Sequence, residues 1–485
     1  MSELSQLSPQ PLWDFFAKIC AIPHPSYHEE ALAQYILSWA ADQGFYANRD
    51  EVGNILIRKP ATPGLEHLKP VALQAHLDMV PQKNNDTVHD FTTDPIQPWV
   101  DGEWVKARGT TLGADNGIGL ASTLAVLVDS SVEHGPLEVL LTMTEETGMV
   151  GAFGLKADWL QAEILINTDS EEEGEVYVGC AGGVDFTSRL PVQREAIPAG
   201  FEPVTLTLKG LKGGHSGADI HVGLGNANKL LARFLFTHAR QLDLRLVDVT
   251  GGTLRNAIPR EAVATLAVST DNIDALKGAA LHYLKTLQNE LGLKEKNINI
   301  VVENVAASAQ ALTATSRDTF IALLNSTPNG VIGNSDVMKG VVETSLNVGV
   351  VAIKDDEATI NCLIRSLTDS GKDYVVEMLT ALGDLAGATT VAKGSYPGWQ
   401  PDAASPVRVL VEETYKKLFG KTPNIQVIHA GLECGLFKKP YPEMDMVSIG
   451  PTITGPHSPD EQVHIASVGL YWQLLTALLK AIPAK

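Results

Sequence analysis

Apolar residues along the chain follow two alternating patterns, one with helical spacing and one of short uninterrupted runs. Ser26 followed by Glu29 matches a capping box and predicts the start of the second helix. The helical spacing predicts amphipathic helices at 11–21, 29–43, 117–129, 226–238, 273–291, 406–418 and 465–482. The short runs predict buried strands at 54–58, 71–75, 137–142, 164–167 and 425–428. Strands and helices that alternate in this way predict an α/β fold.

Acidic and histidine residues follow several of the predicted strands, or lie in a tight loop before a helix. In chain order they are His76, Asp78, Asp115, Glu145, Glu146 and Asp169. In an open α/β sheet, ligands bind in the crevice outside the carboxyl ends of the strands. We therefore expect a functional site at that edge of a mixed sheet flanked by helices.

The pattern of short apolar strands and helices changes at residues 191–203, and long amphipathic strands and helices follow from 204 to 394. Two stretches of this block, which begin near Arg255 and Leu346, repeat the order of strand, helix and strand. The α/β pattern returns near residue 396. We predict a catalytic domain at 1–190 and 396–485, interrupted by an inserted α+β lid domain at 191–395 whose internal repeat indicates a duplication.

Composition and charge narrow the class of protein. The net charge of −20, from 37 basic and 57 acidic residues, argues against nucleic acid or an anionic membrane as a partner. Cys20, Cys180, Cys362 and Cys434 form no CxxC pair, which is typical of reduced thiols in a cytosolic protein. The N-terminus has no signal-peptide pattern, and no apolar run is long enough to span a membrane. We expect a cytoplasmic protein.

His76 and Asp78 indicate the first candidate chemistry. Two residues apart at the end of a strand, they would share one face. A neutral histidine with a carboxylate beside it is typical of a metal ligand and the partner that orients its ring. The alternative is a buried strand end whose polar residues are merely solvated.

A larger set of histidine and carboxylate residues strengthens the metal hypothesis. Its members contain no thiolate, which suits Zn²⁺, Co²⁺ or Mn²⁺ at a reactive centre rather than a structural zinc site. Five ligands are too many for one four-coordinate ion and suit two ions that share a carboxylate. Taken singly, each acid is better explained as a helix cap or a solvated loop residue. The set is His76, Asp115, Glu146, Asp169 and His457.

Glu145 and Glu146 directly follow a predicted buried strand. Adjacent side chains on an extended segment point in opposite directions, so one can bind metal while the other acts as a general base. The alternative is that both are acidic residues of the protein surface, which does not explain why they directly follow a buried strand.

Two features of the middle block carry further candidate chemistry. His215 lies in the sequence GGHSG, where it is either a turn residue or a hydrogen-bond donor to a polarised carbonyl oxygen. No Lys-Ser or Lys-Thr follows, so a phosphate-binding loop is a poor explanation. Arg365 ends an apolar strand and requires a carboxylate, from the protein or from a substrate.

Seven motifs together resemble the dinuclear zinc peptidase family that includes glutamate carboxypeptidases, aminoacylases and cytosolic dipeptidases. They extend over residues 75–461 and are AHLDMVPQ, GADNGIG, TEETG, NTDSEEEG, GGHSG, HAGLECG and GPHSPDE. The resemblance implies two divalent metal ions per chain, with Zn²⁺ expected and Co²⁺ or Mn²⁺ as substitutes.

The resemblance also implies a role for each candidate residue. Asp115 would bridge the two ions, with His76 and Asp169 on one side and Glu146 and His457 on the other. Asp78 would orient His76, and Glu145 would be the general base. The substrate would be contacted from the lid by His215, Asn256 and Arg365. Many relatives have a lid of about half this size, so the geometry of the implied homodimer stays open.

The function implied is hydrolysis of dipeptides, Xaa-His dipeptides among them, by metal-activated water. A deacylase of N-acyl amino acids is the alternative on the same fold, because it would use the same metal ligands. A metal-dependent binding protein without turnover is a third hypothesis, which predicts that the base is absent. Glu145 is present.

Overall fold

The computed structural model describes residues 3–84 and 86–485. The chain divides into two units, the first formed by the residues up to Gly179 together with Pro401–Val427 and Leu432–Lys485. The second is formed by Cys180–Gln400 and Ile428–Gly431. The predicted boundary after residue 190 falls inside a strand, Gly182–Pro191, that pairs with two other strands of the second unit.

The helices of the described residues are α1 Gln10–Ala21, α2 Glu30–Asp42, α3 Ala114–Val128, α4 Val150–Gly154, α5 Ala227–His238, α6 Ile273–Leu291, α7 Ala314–Ser326, α8 Asp369–Ala386, α9 Pro406–Phe419, α10 Glu433–Phe437 and α11 Ile465–Ala481. Seven of them agree closely with the predicted ranges, whereas α4, α7, α8 and α10 lie outside those ranges. In the part of the chain that the structure describes, no helix has the length and apolar character needed to span a membrane.

The strands of the first unit are β1 Tyr46–Arg49, β2 Ile55–Lys59, β3 Val71–His76, β4 Pro98–Asp101, β5 Trp104–Ala107, β6 Leu137–Thr142, β7 Ile164–Asn167 and β8 Glu175–Cys180. The strands of the second unit are β9 Gly182–Pro191, β10 Arg194–Ala196, β11 Phe201–Lys209, β12 Gly214–His215, β13 Arg245–Gly251, β14 Ala257–Ile258, β15 Ala262–Ser269, β16 Asn299–Asn304, β17 Gln310–Leu312, β18 Gly330–Asn334, β19 Val342–Lys354, β20 Glu357–Ser366 and β21 Thr389–Tyr396. The chain then returns to the first unit with β22 Asn424–Ile428, β23 Asp445–Ser448, β24 Ile453–Thr454 and β25 Gln462–His464.

The main sheet of the first unit has the order β1-β2-β6-β3-β7-β23-β8-β22. At its centre β3 is parallel to both β6 and β7, and every residue of β3 is buried. His76 is opposite Thr142 in this register, so the ends of these strands meet at one edge of the sheet. Parallel strands covered on both faces form continuous apolar runs, which is why the sequence pattern located them.

Several short elements of the first unit lie outside the predicted ranges, and β4 and β5 are examples. The sequence of 82–106 is polar and rich in turn-forming residues, which predicts a loop, but β4 and β5 pair within it as an antiparallel hairpin. Its strands have four residues each and contain Pro98. Such short strands give too few alternating positions for a pattern to be recognised.

The large sheet of the second unit contains two copies of one topology. In chain order the first copy is β11-α5-β13-β15-α6-β16 and the second is β9-α7-β19-β20-α8-β21. Each copy places its strands in the order four, one, three, two, and the copies join through antiparallel pairing of β13 with β19. The repeat expected from the sequence is therefore a pair of βαββαβ units, with the first inserted after the first strand of the second.

A single apolar core underlies this sheet. It includes Phe186 of β9, Leu206 of β11, Phe234 of α5 and Phe320 of α7. Both copies thus bury their helices against the same side of one continuous sheet.

Candidate metal centre

Asp78 is the residue to which the parts of the candidate centre are joined. It is buried two residues beyond the end of β3, and its Oδ1 lies 3.2 Å from Nδ1 of His76. The backbone N–H groups of Glu145 and Glu146 donate to its two oxygens at 2.8 and 3.1 Å. The Ser26 hydroxyl donates to Oδ2 at 2.7 Å. Asp78 therefore fixes both the histidine ring and the loop after β6.

These contacts correct the predicted capping box. Helix α2 begins at Glu30, and its N-cap Glu29 makes no side-chain capping bond. The Glu29 carboxylate instead accepts the N–H and the hydroxyl of Thr144 at 2.8 and 2.7 Å. Ser26 is bonded to Asp78. The capping prediction is wrong because both side chains have partners that are remote in sequence.

The five predicted ligands lie together in two overlapping groups. Nε2 of His76 is 3.2 Å from Oδ1 of Asp115 and 3.4 Å from Oδ1 of Asp169. Nε2 of His457 is 3.1 Å from Oδ2 of Asp115 and 3.1 Å from Oε2 of Glu146. Asp115 contacts both histidines, one through each oxygen. Potential ligand atoms of His76, Asp115 and Glu146 all lie within 4.8 Å of one another, which makes them a candidate metal-binding group.

The charges of this cluster favour a cation. Burial lowers the pKa of His76, but the Asp169 and Asp115 carboxylates outweigh it and raise that pKa well above its ordinary value. Hydrogen bonds to Asp115 and Glu146 raise the pKa of His457 to about 11. Burial raises the pKa of Asp169 to about 8, and burial together with Asp115 raises that of Glu146. The crowded carboxylates therefore gain from positive charge placed among them.

Glu145 lies beside the cluster and has no contact of ion-pair length with its histidines. Desolvation raises the pKa of its carboxyl well above the ordinary value, and the neighbouring Asp169 and Glu146 carboxylates act in the same direction. A carboxyl group in such surroundings is suited to accept and return a proton.

Glu461 was not predicted to have a role. It is buried, and it accepts backbone N–H groups of Leu112, Gly113 and Asp115 at 2.7, 2.9 and 3.1 Å. It thereby holds the loop that presents Asp115 to both histidines. Glu461 lies in the motif GPHSPDE, but nothing in its local spacing connects it to a loop 349 residues earlier.

Two more acidic residues near the centre were also missed. Burial and the adjacent Asp115 carboxylate, to which Glu171 is hydrogen-bonded, raise the pKa of Glu171 to about 9. Oε2 of Glu433 accepts hydrogen bonds from Gln74 at 2.6 Å and Thr142 at 2.8 Å. Glu433 thus joins the ends of β3 and β6 beneath the residues that carry the candidate chemistry.

The three predicted substrate-binding residues belong to the second unit. Nδ1 of His215 accepts the N–H groups of Gly217 and Ala218 at 3.2 and 3.0 Å, which leaves Nε2 as the protonated nitrogen. Burial, and then Arg365, lower the pKa of His215, so its ring is neutral near pH 7. Arg365 is buried, and the exposed Asn256 accepts the N–H of Ser216 through its backbone carbonyl at 2.9 Å.

Comparison with known proteins identifies the class. The profile of peptidase family M20/M25/M40 matches residues 72–481, and the chain belongs to this family. It is 76% identical over 485 residues to the cytosol non-specific dipeptidase of Escherichia coli (strain K12), with 100% of both chains covered. The structure of aminoacylhistidine dipeptidase from Vibrio alginolyticus matches with a TM-score of 0.93 and 60% identity, over 100% of this chain and 99% of that one.

A more distant structure shares the fold alone. Aminopeptidase PepT from Bacillus cereus ATCC 10987 matches with a TM-score of 0.57 and 14% identity, over 98% of this chain and 99% of that chain. The predicted family and the predicted α/β fold with an inserted lid are confirmed.

Proposed function

We propose that this protein is a cytoplasmic metallo-dipeptidase of broad specificity whose substrates include Xaa-His dipeptides. The observation that carries the proposal is the 76% identity to a cytosol non-specific dipeptidase along the whole of both chains. The deacylase alternative is not favoured, because the relatives that match the full chain at high identity are dipeptidases by name.

The donor set fits two divalent cations. His76 and Asp169 would hold one, Glu146 and His457 would hold the other, and Asp115 would bridge them. Nitrogen and carboxylate donors suit Zn²⁺, with Co²⁺ or Mn²⁺ as substitutes. Oε1 of Glu146 is buried without a hydrogen-bond partner, as expected of an oxygen reserved for a ligand. When bound, such ions polarise a carbonyl oxygen and make water a stronger nucleophile.

Glu145 would be the proton carrier of the reaction. Asp78 holds its backbone at 2.8 Å, so the side chain extends from an anchored position. Its carboxylate takes the proton from the attacking water and returns it to the amine that leaves.

The lid residues would recognise the substrate. Nε2–H of His215 would donate to the carbonyl oxygen as negative charge develops on it. Arg365 would pair with the terminal carboxylate, which restricts the enzyme to short peptides with a free carboxyl end. Asn256, whose backbone carbonyl accepts the N–H of Ser216, would also contact the peptide.

A homodimer is part of the proposal, with His215 supplied to the neighbouring subunit. The second unit offers a competing arrangement. Strand β13 would be a free edge in a lid with one βαββαβ copy, but here it is paired with β19 of the second copy. In that arrangement the second βαββαβ copy takes the place of a partner subunit, and His215 acts in the site of its own chain.

The function can be tested by removing all metal with a chelator and restoring Zn²⁺, Co²⁺ or Mn²⁺ separately. Activity is then measured on a panel of dipeptides that includes Xaa-His members, with matched N-acetyl amino acids alongside. We expect cleavage of the dipeptides to return with metal, and none in the Glu145→Gln variant. Faster cleavage of the N-acyl compounds would show a deacylase instead.

A further inference from the structure

Among the buried polar atoms of the second unit that have no hydrogen-bond partner in the described residues, three belong to segments that approach one another closely. They are Oγ of Ser216, Nε of Arg365 and Nδ1 of His429. The three residues are 1%, 5% and 8% exposed, respectively. Buried polar atoms are nearly always satisfied, so three such atoms on neighbouring segments indicate a ligand.

Gly217 shows how closely these segments approach. A Cβ atom at this position would lie 1.9 Å from the backbone oxygen of His429 and 3.0 Å from Nε of Arg365. The loop that contains Ser216 therefore packs directly on both of the other residues. Only a residue without a side chain permits this approach.

One ring nitrogen of His429 has a side-chain partner, whereas Nδ1 is buried and meets no partner with hydrogen-bond geometry among the described residues. Its Nε2 lies 2.8 Å from the hydroxyl of Ser345, which is paired directly opposite Arg365 in the sheet. Burial, Arg365 and His215 lower the pKa of His429 to about 3, although the Val342 carbonyl acts in the opposite direction. The ring is therefore neutral, and a Ser345 hydroxyl that donates to Nε2 places the ring proton on Nδ1.

Arg365 lacks an acidic partner. Its only side-chain hydrogen bond among the described residues is from Nη1 to the Tyr396 hydroxyl at 3.2 Å, and none of the ion pairs there includes it. A buried guanidinium is ordinarily paired with a carboxylate. The missing anion would thus come from outside the protein.

We infer that His429 and Ser216 join Arg365 in binding the terminal carboxylate of the substrate, and that Ser345 positions His429 for this contact. The inference rests on the proposed dipeptidase function and adds to it. Arg365 supplies the charge, while the Nδ1–H of His429 and the Ser216 hydroxyl supply directed neutral donors. Together the donors select a planar carboxylate over an uncharged amide.

The test compares an L-dipeptide with its C-terminal amide in the metal-loaded, full-length enzyme. The His429→Gln change should raise KM for the free dipeptide by about 10- to 100-fold with little change in kcat, since a hydrogen bond to a charged group is lost. KM for the amide should stay constant. Ser345→Ala should shift KM in the same direction by a smaller factor, and Ser345→Thr should restore it.

The control is His134→Gln, which alters another buried histidine in the first unit. It should affect both substrates equally or not at all. If His429→Gln does not fold, Ser216→Ala and Ser345→Ala provide the same comparison. Equal effects on free and amidated dipeptides would assign these residues a purely structural role and overturn the inference. An unmutated enzyme that does not prefer the free dipeptide would instead refute the proposed function.

Discussion

Oδ1 of Asp78 accepts the backbone N–H of Glu145 at 2.8 Å and lies 3.2 Å from Nδ1 of His76. One carboxylate thus connects a candidate metal ligand to the candidate general base. Its second oxygen is occupied by Ser26 and Glu146. The arrangement makes metal affinity and placement of the base depend on the same residue.

We predict that Asp78→Asn lowers metal affinity by about 10- to 100-fold, because the charge that orients His76 and raises its basicity is lost. Titration against a chromophoric chelator measures this directly. Asp90→Asn, at an exposed position, is the matched control. Unchanged affinity together with lost activity would limit Asp78 to placing Glu145.

The Glu145→Gln change should abolish turnover and leave two metal ions per chain, because it keeps the shape of the side chain and removes its basicity. Metal analysis alongside kinetic assays provides the check. Loss of one ion, with activity recovered in excess Zn²⁺, would mean that Glu145 is a ligand.

Glu461→Gln should destabilise the loop that carries Asp115. The carboxylate accepts three N–H groups, whereas an amide would turn its own NH₂ toward at least one of them. We expect the free energy of unfolding to fall by about 1–3 kcal/mol, measured by denaturant titration, and the metal content to decrease. Glu443→Gln, an exposed change, should have neither effect. A fully stable Glu461→Gln protein with normal metal content would contradict this role.

Arg365→Ala should raise KM for dipeptides strongly, and amidated dipeptides should already be poor substrates of the unaltered enzyme. Arg365→Lys should recover only part of the affinity, because lysine lacks the planar fork that binds both carboxylate oxygens. Steady-state kinetics on both substrate forms measures the effect. Equal rates on free and amidated forms would rule out recognition of the carboxyl end.

Whether His215 acts in its own chain can be decided by mixing His215→Ala and Glu145→Gln proteins under conditions that allow subunits to exchange. If His215 acts across a dimer, a mixed dimer contains one site with neither defect, and activity returns. Exchange without recovery would assign His215 to its own chain, as the paired β13 and β19 strands allow. A monomer in sedimentation at the assay concentration would give the same answer.

The candidate residues whose position depends on local spacing could be predicted from the sequence. His76 ends a buried strand, and the glutamate pair follows another, so their meeting at one sheet edge follows from parallel pairing. The prediction failed where a side chain has remote partners. Ser26 and Glu29 form a capping pattern, yet they bind Asp78 and Thr144, and no local rule anticipates such contacts.

The sequence by itself therefore determined the α/β class, the candidate ligand set and the existence of a repeat, because each depends on residue type and short-range periodicity. Only the tertiary structure decided that β9 belongs to the second copy, that Glu461 holds the Asp115 loop, and that Ser216, Arg365 and His429 present unpaired atoms together. These relationships join segments that are distant along the chain. Their geometry is set by how the sheets and loops pack, which periodicity does not encode.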